Sequence, residues 1–228
     1  MILMIKLREN EIILFQGDSI TDGNRGRSAD PNHIHGHGYQ YLLASELWHN
    51  NLDKNPTFIN RGISGNRCSE LLDRWDEDCI DLKPTILSIL VGINDIGAMY
   101  VGVEGASLEG FESSYRKMLR RVKAELPNTL VIIMEPFFGD KEENEKEEEL
   151  FFKKHITELQ QRTRKIAEEF DAVFVPLQDI FDSYREKTDI FNLIWDGVHP
   201  TTCGHYLIAQ RWKECVKEAI NAIPESRR

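Results

Sequence analysis

Five short apolar runs recur along the chain, separated by longer polar segments with helical periodicity: Ile12-Ile13-Leu14-Phe15, Thr57 to Ile59, Ile86 to Val91, Leu130 to Met134 and Val173-Phe174-Val175. Rich in β-branched residues and bounded by Gly, Asp, Pro or Asn, each reads as a strand. The run Ile86-Leu87-Ser88-Ile89-Leu90-Val91 is almost continuously apolar. A central parallel strand covered on both faces shows that pattern.

Between the runs, apolar residues fall at helical spacing. Tyr39, Leu42, Leu43, Leu47 and Trp48 form one face, and Leu71, Leu72 and Trp75 continue at the same period, which assigns Trp75 to the core. Further helices are predicted over Phe111 to Leu126, ended by Pro127-Asn128, over Leu150 to Phe170, and from about Thr202 onward through Tyr206, Leu207, Ala209, Trp212 and Val216. Asn24 to Gly38 and Gly97 to Gly110 read as Gly-rich loops, and Glu135-Pro136-Phe137-Phe138-Gly139 as a turn placing aromatics near a cleft. Asp140 to Glu149 holds seven acids and two lysines, a solvated loop and helix start whose acids suit a helix N-terminus. Alternating strands and helices predict an α/β protein, a three-layer α/β/α sandwich on a five-stranded parallel sheet. Right-handed crossovers bring the strand C-termini to one edge, where ligands bind in such sheets. No repeat or linker divides residues 1–228, so one domain is expected.

Composition narrows the function. The formal charge of −10 lacks the basic stripe of a nucleic-acid partner and does not suit an anionic membrane surface; a neutral or cationic substrate is easier to accommodate. The N-terminus, Met1-Ile2-Leu3-Met4-Ile5-Lys6, has none of the regions of a signal peptide. Cys68, Cys79, Cys203 and Cys215 show no metal spacing and read as reduced thiols, which points to the cytoplasm.

Candidate chemistry gathers at the strand ends. Gly17-Asp18-Ser19-Ile20-Thr21-Asp22 follows the first strand, Asn60-Arg61-Gly62-Ile63-Ser64-Gly65-Asn66 the second and Gly92-Ile93-Asn94-Asp95 the third, while Trp195-Asp196-Gly197-Val198-His199-Pro200 precedes the last helix. A serine needs a base to act as a nucleophile, and His199 is the candidate, oriented by Asp196 three residues before it. Pro200 drives His199 out of the α region and keeps it outside the final helix. The backbone N–H groups of Ser19 and Gly65 and the Asn94 amide are the candidate oxyanion donors.

In this order the four segments resemble the blocks of the SGNH hydrolases, the GDSL esterases and lipases, over nearly the whole chain. Ile20 stands where the family name has Leu, an apolar exchange. With Arg74-Trp75 after the second block, the pattern is most similar to the small intracellular acetyl xylan esterases. The resemblance implies a flavodoxin-like sheet, the same roles for Ser19, Asp196, His199, Gly65 and Asn94, no cofactor and a homo-oligomer. It implies a small ester substrate, with removal of short acyl groups, acetyl first, from small or oligosaccharide esters. Trp195 and Asp18 are the expected substrate contacts, and the loop carrying His33, His35 and His37 is a wall for a sugar ring.

Other readings compete. A lysophospholipase or acyl thioesterase of the same family would want an apolar channel, and a non-catalytic carbohydrate-binding protein would not need the full set of reactive groups. The alternating histidines lack a carboxylate or cysteine at ligand spacing, so no metal is expected. Gly62-Ile63-Ser64-Gly65-Asn66 superficially matches a nucleophile elbow, but Asn66 replaces its final Gly, and Ser64 reads as structural. Asp22 with Asp95 as a glycosidase pair is disfavoured, because nothing marks either as a raised-pKa acid.

Overall fold

A computed structural model describes residues 4–28, 30–140 and 146–223. Strands β1 (Ile12–Gly17), β2 (Thr57–Asn60), β3 (Ile86–Leu90), β4 (Leu130–Met134) and β5 (Val173–Val175) form one parallel sheet in the order β2-β1-β3-β4-β5. This is the flavodoxin-like order, whose topological switch point lies between β1 and β3. Phe15 is in register with Asn60 on one side and Ser88 on the other, so the ends of β1, β2 and β3 open onto one crevice.

The helices are α1 (Ser19–Asp22), α2 (Tyr39–Asn50), α3 (Cys68–Asp73), α4 (Ile93–Tyr100), α5 (Leu108–Glu125), α6 (Glu147–Glu169), α7 (Gln178–Asp182) and α8 (Thr202–Asn221). Pleating sends Ile13 and Phe15 to one face of the sheet, into a core with Tyr39, Leu43 and Trp212, and Leu14 to the other, with Trp75, Phe111 and Leu159. Ser88 is the polar exception in β3 because it faces α8, where its Oγ accepts the Trp212 indole N–H at 3.0 Å. Trp75 is fully buried, as its spacing requires. Among the described residues no helix is long and apolar enough to cross a membrane.

Three expectations change. Gly97 lies inside α4, with the loop reduced to residues 101–107, because Ile93 and Ile96 bury one face of that helix. Helix α5 starts earlier than its apolar period, at a Ser107 N-cap whose Oγ accepts from Gly110 N at 3.0 Å. Phe137 is a core residue away from any cleft, while Phe138, on the opposite face of the sheet and stacked on Phe152 with centroids 5.1 Å apart, lines a cavity as expected. In the acidic run, Glu147, Glu148 and Glu149 form the first turn of α6, while residues 141–145 lie outside the described residues, as do Met1 to Leu3 of the N-terminus.

Candidate active site

The site begins where β1 ends. Only glycine fits at position 17, since a Cβ there would lie 2.2 Å from the Leu90 carbonyl oxygen. The chain turns at once into α1, with Ser19 its first residue and Asp18 its N-cap, accepting from Ile20 N at 3.0 Å. The first turn of a helix leaves the Ser19 N–H without an intrahelical acceptor.

Ser19 Oγ stands 2.9 Å from His199 Nε2, and His199 Nδ1 stands 2.7 Å from Asp196 Oδ2. With Nδ1 donating to the carboxylate, Nε2 is left as the acceptor facing Ser19. The other Asp196 oxygen accepts from the backbone N–H groups of Val198 at 3.0 Å and His199 at 2.7 Å. Partial burial works against this carboxylate, but the His199 backbone N–H and imidazole outweigh it and hold Asp196 below the usual carboxylate range. A bridge between Ile194 and Pro200, and a 3.0 Å bond from Trp195 N to His199 O, close the hairpin that presents the pair.

The loop after β2 is bound on several sides. Gly62 N donates to Asn60 Oδ1 at 2.9 Å, Ile63 N to Gly17 O at 3.1 Å and Ser64 N to Asp22 Oδ2 at 2.9 Å. Gly65 has φ +84°, a left-handed conformation that glycine adopts without strain. The Asn94 amide donates to Asn66 O at 3.1 Å, and the next residue, Asp95, accepts from Cys68 N at 3.1 Å, so α4 grips this loop at two points. Asp95 is 7% exposed; burial raises its carboxyl to about 7 against the lowering influence of the Cys68 N–H and Arg67.

Of the expected site residues, Ser19, His199 and Asp196 are joined by hydrogen bonds, and Gly65 and Asn94 meet through Asn66. Trp195 is 62% exposed, its ring stacked beside His199 with centroids 6.4 Å apart. Asp18 is a correction. Its side chain caps α1 inside the protein at 1% exposure and has no open face for substrate; burial raises its carboxyl to about 7 despite the Ile20 N–H and the nearby His199. His33 pairs with Asp30 at 2.8 Å, and His35 is half-buried, which lowers its pKa, with its carbonyl held by Asn60 and Gln40.

Several contributors carry little signal in sequence. Asn60 binds the carbonyls of Thr21 at 2.7 Å and His35 at 3.0 Å, tying α1 to the histidine loop. Arg74 reaches Asn66 Oδ1 at 2.9 Å, Gln16 Oε1 at 3.1 Å and Asp78 at 2.7 Å beneath the same loop. Beyond its place in the Arg74-Trp75 pair, its mark in the sequence is the i, i+4 spacing to Asp78. A cavity of about 400 Å³ is lined by Asp196 and Val198 together with Phe138, Phe152, Lys146 and Glu148.

The model of the GDSL-like lipase/acylhydrolase family matches residues 15–207. An acetylxylan esterase of Geobacillus stearothermophilus is 31% identical over 212 residues, covering 90% of this chain and 94% of that protein. Among solved structures, a protein of Parabacteroides merdae described as a GDSL-like lipase superposes with a TM-score of 0.86 at 35% identity, covering 92% of this chain and 97% of that one. Axe2, an acetylxylan esterase from Geobacillus stearothermophilus, gives a TM-score of 0.80 at 28% identity over 93% of this chain and 96% of its own. Axe2 has also been solved as catalytic mutants in which a serine or an aspartate is replaced by alanine.

Proposed function

The chain belongs to the GDSL-like lipase/acylhydrolase family, and on that premise we propose that it is a serine carboxylic-ester hydrolase that removes acetyl groups from small or oligosaccharide esters. The observation that carries the reading is the continuous chain of contacts from Ser19 Oγ through the His199 ring to Asp196, 2.9 Å and 2.7 Å long. His199 Nε2 takes the Ser19 proton as Oγ attacks the ester carbonyl, and Asp196 holds the ring and stabilises the imidazolium that forms. The tetrahedral oxyanion is met by the N–H groups of Ser19 and Gly65 and by the Asn94 amide. His199 then gives its proton to the departing alcohol, and water repeats the cycle on the acyl-enzyme.

The acetyl and sugar assignments draw on the relatives and on the surroundings of the triad. Trp195 offers an exposed aromatic face beside His199. The rim of the cavity next to Asp196 carries Lys146 and Glu148, groups a hydroxylated leaving group solvates better than an alkyl chain does. Four free cysteines, two of them buried, are compatible with a cytoplasmic enzyme, and the likeness to acetyl xylan esterases supports a homo-oligomer.

Hydrolysis of p-nitrophenyl acetate by the wild-type and Ser19→Ala proteins tests the reading. Loss of turnover in a folded variant, with a serine-directed organophosphate labelling Ser19 and not Ser64, is the expected result. Near wild-type activity in Ser19→Ala would refute it.

A further inference from the structure

The chain carries a formal charge of −10, yet the loop that bears Gly65 is flanked by a local excess of cations. Among the described residues, the four guanidiniums of Arg25, Arg27, Arg61 and Arg74 share two carboxylates there. Arg27 takes Asp22 at 2.6 Å, and Arg74 takes Asp78 at 2.7 Å. Arg61 is left 3.4 Å from the same Asp78, with its Nε buried and without a hydrogen bond. The side chain of Arg25 makes one hydrogen bond, from Nε to the carbonyl of Gly62 at 2.9 Å. Its two terminal nitrogens have no acceptor among the described residues, although five donors in a planar fork are made for a carboxylate.

The electrostatics agree with the geometry. Burial, followed by the charge of Arg27, lowers Arg25 to about 10, and Arg61 adds to the effect while Asp22 and Asp78 oppose it. Arg25 therefore stays charged near neutrality. Among the described residues, this half-buried guanidinium has like charges close by and no carboxylate bonded to it.

Chain connections tie this group to the two segments that carry Ser19 and Gly65. Arg25 lies six residues after Ser19 and holds Gly62, three residues before Gly65. Asp22 ties the two segments together by accepting from Ser64 N at 2.9 Å and from Arg25 N at 3.2 Å. Arg27 and Arg61 remain partly open to solvent, with side-chain exposures of 54% and 36%.

We propose that Arg25, with Arg27 and Arg61, forms an anion subsite on the wall of the cleft that takes a carboxylate of the substrate, such as the acid group of a uronate-bearing sugar ester. The proposal rests on the esterase reading for its substrate, but its test does not depend on turnover. The bulk of the surface repels anions, so this subsite selects at short range and does not steer from afar.

Calorimetric titration of the Ser19→Ala protein with phenyl acetate, with 3- and 4-acetoxybenzoate and with inorganic phosphate tests it. The expected result is that one acetoxybenzoate binds at least about tenfold more tightly than phenyl acetate, and that adding Arg25→Gln abolishes the preference while Arg25→Lys keeps part of it. Arg61→Gln is the second variant, expected to weaken the preference even if Arg25→Gln fails to fold. Equal binding of charged and neutral esters overturns the proposal. So does a preference unaffected by Arg25→Gln and Arg61→Gln, or Arg25-dependent binding of phosphate alone. Failure of the esterase reading would show separately, as a wild-type protein that hydrolyses none of these esters.

Discussion

Asn94 gives one amide hydrogen to the carbonyl of Asn66, 3.1 Å away, and keeps the other. The bond fixes the direction of the amide, and if Asn94 serves the oxyanion as proposed, its free N–H is aimed before any substrate arrives. A preorganised donor of this kind strengthens only as charge develops on the ester oxygen. Asn94→Ala should therefore lower kcat by roughly 10² to 10³, or about 2.7 to 4 kcal/mol, with KM little changed. Steady-state kinetics on an aryl acetate make the check. A rise in KM alone would make Asn94 a ground-state binding residue.

Asp196 holds His199 through the ring Nδ1 at 2.7 Å and through the backbone N–H at 2.7 Å. Asp196→Asn can keep the backbone bond, but its amide presents a donor to the ring and favours the tautomer with Nε2 protonated. Ser19 then loses its acceptor. A fall in kcat of about 10⁴, with unaltered melting behaviour, is expected. A loss of less than tenfold would mean that His199 does not depend on Asp196 for its tautomer.

The Asp95 carboxyl lies at about 7 in the folded protein against 3.8 for the free group. Between those values the folded state holds a proton that the unfolded chain has released, so this group makes stability fall as pH rises from about 4 to 7. Asp95→Asn keeps an acceptor for Cys68 N and removes the titration. Relative to wild type, its Tm should be higher at pH 8 than the same comparison gives at pH 4.5. An offset that is equal at both values would show that Asp95 does not titrate in this window. Because Asp18 has the same sign and is also raised to about 7, the variant should flatten the slope without abolishing it.

How far the sequence reached depended on the range of the forces. The strands and Trp75 were legible because period and burial are local properties of the chain, and the α/β architecture followed from their alternation. Ser19, His199 and Asp196, which the structure joins by hydrogen bonds, could be singled out because acyl transfer would need such residue types at strand ends. Asp18 was misread as a substrate contact, since nothing local distinguishes a buried cap from an exposed carboxylate. Asp95 gripping Cys68, 27 positions away, and Asn60 reaching His35, 25 positions away, are long-range bonds that a periodic pattern does not encode. Gly97 reads as loop because helix propensity penalises glycine, whereas burial of Ile93 and Ile96 carries α4 through it.

Trp195 stays 62% exposed while its ring stacks beside His199, an arrangement that leaves one aromatic face to solvent at the mouth of the site. Trp195→Ala should reduce kcat/KM on acetylated xylo-oligosaccharides by roughly two- to tenfold more than on phenyl acetate, because a sugar ring gains from an apolar platform. Competition between the two substrates in one reaction measures the ratio directly. Equal losses on both would assign Trp195 to holding the hairpin of His199 and not to the sugar.

Acyl length separates an acetyl esterase from a lipase or thioesterase built on the same triad. In an apolar channel each added methylene contributes up to about 0.8 kcal/mol to transition-state binding, roughly fourfold in kcat/KM. The surroundings of Ser19 offer polar groups instead. The loop of residues 24–38 is folded back on α1 through Asn60 and through a 2.9 Å bond from His37 N to Gly23 O, and Phe137 is packed into the core. The cavity beside Asp196 is lined by Phe138, Phe152 and Phe191 but also by Lys146, Glu148 and Glu149, and an alkyl chain entering there would desolvate charges without replacing their hydrogen bonds. Acetyl esters should therefore be the best substrates, with kcat/KM lower for butyryl and negligible for octanoyl p-nitrophenyl esters. A steady rise in kcat/KM from acetyl to octanoyl would transfer the enzyme to the lipase class while leaving Ser19, His199 and Asp196 in their roles.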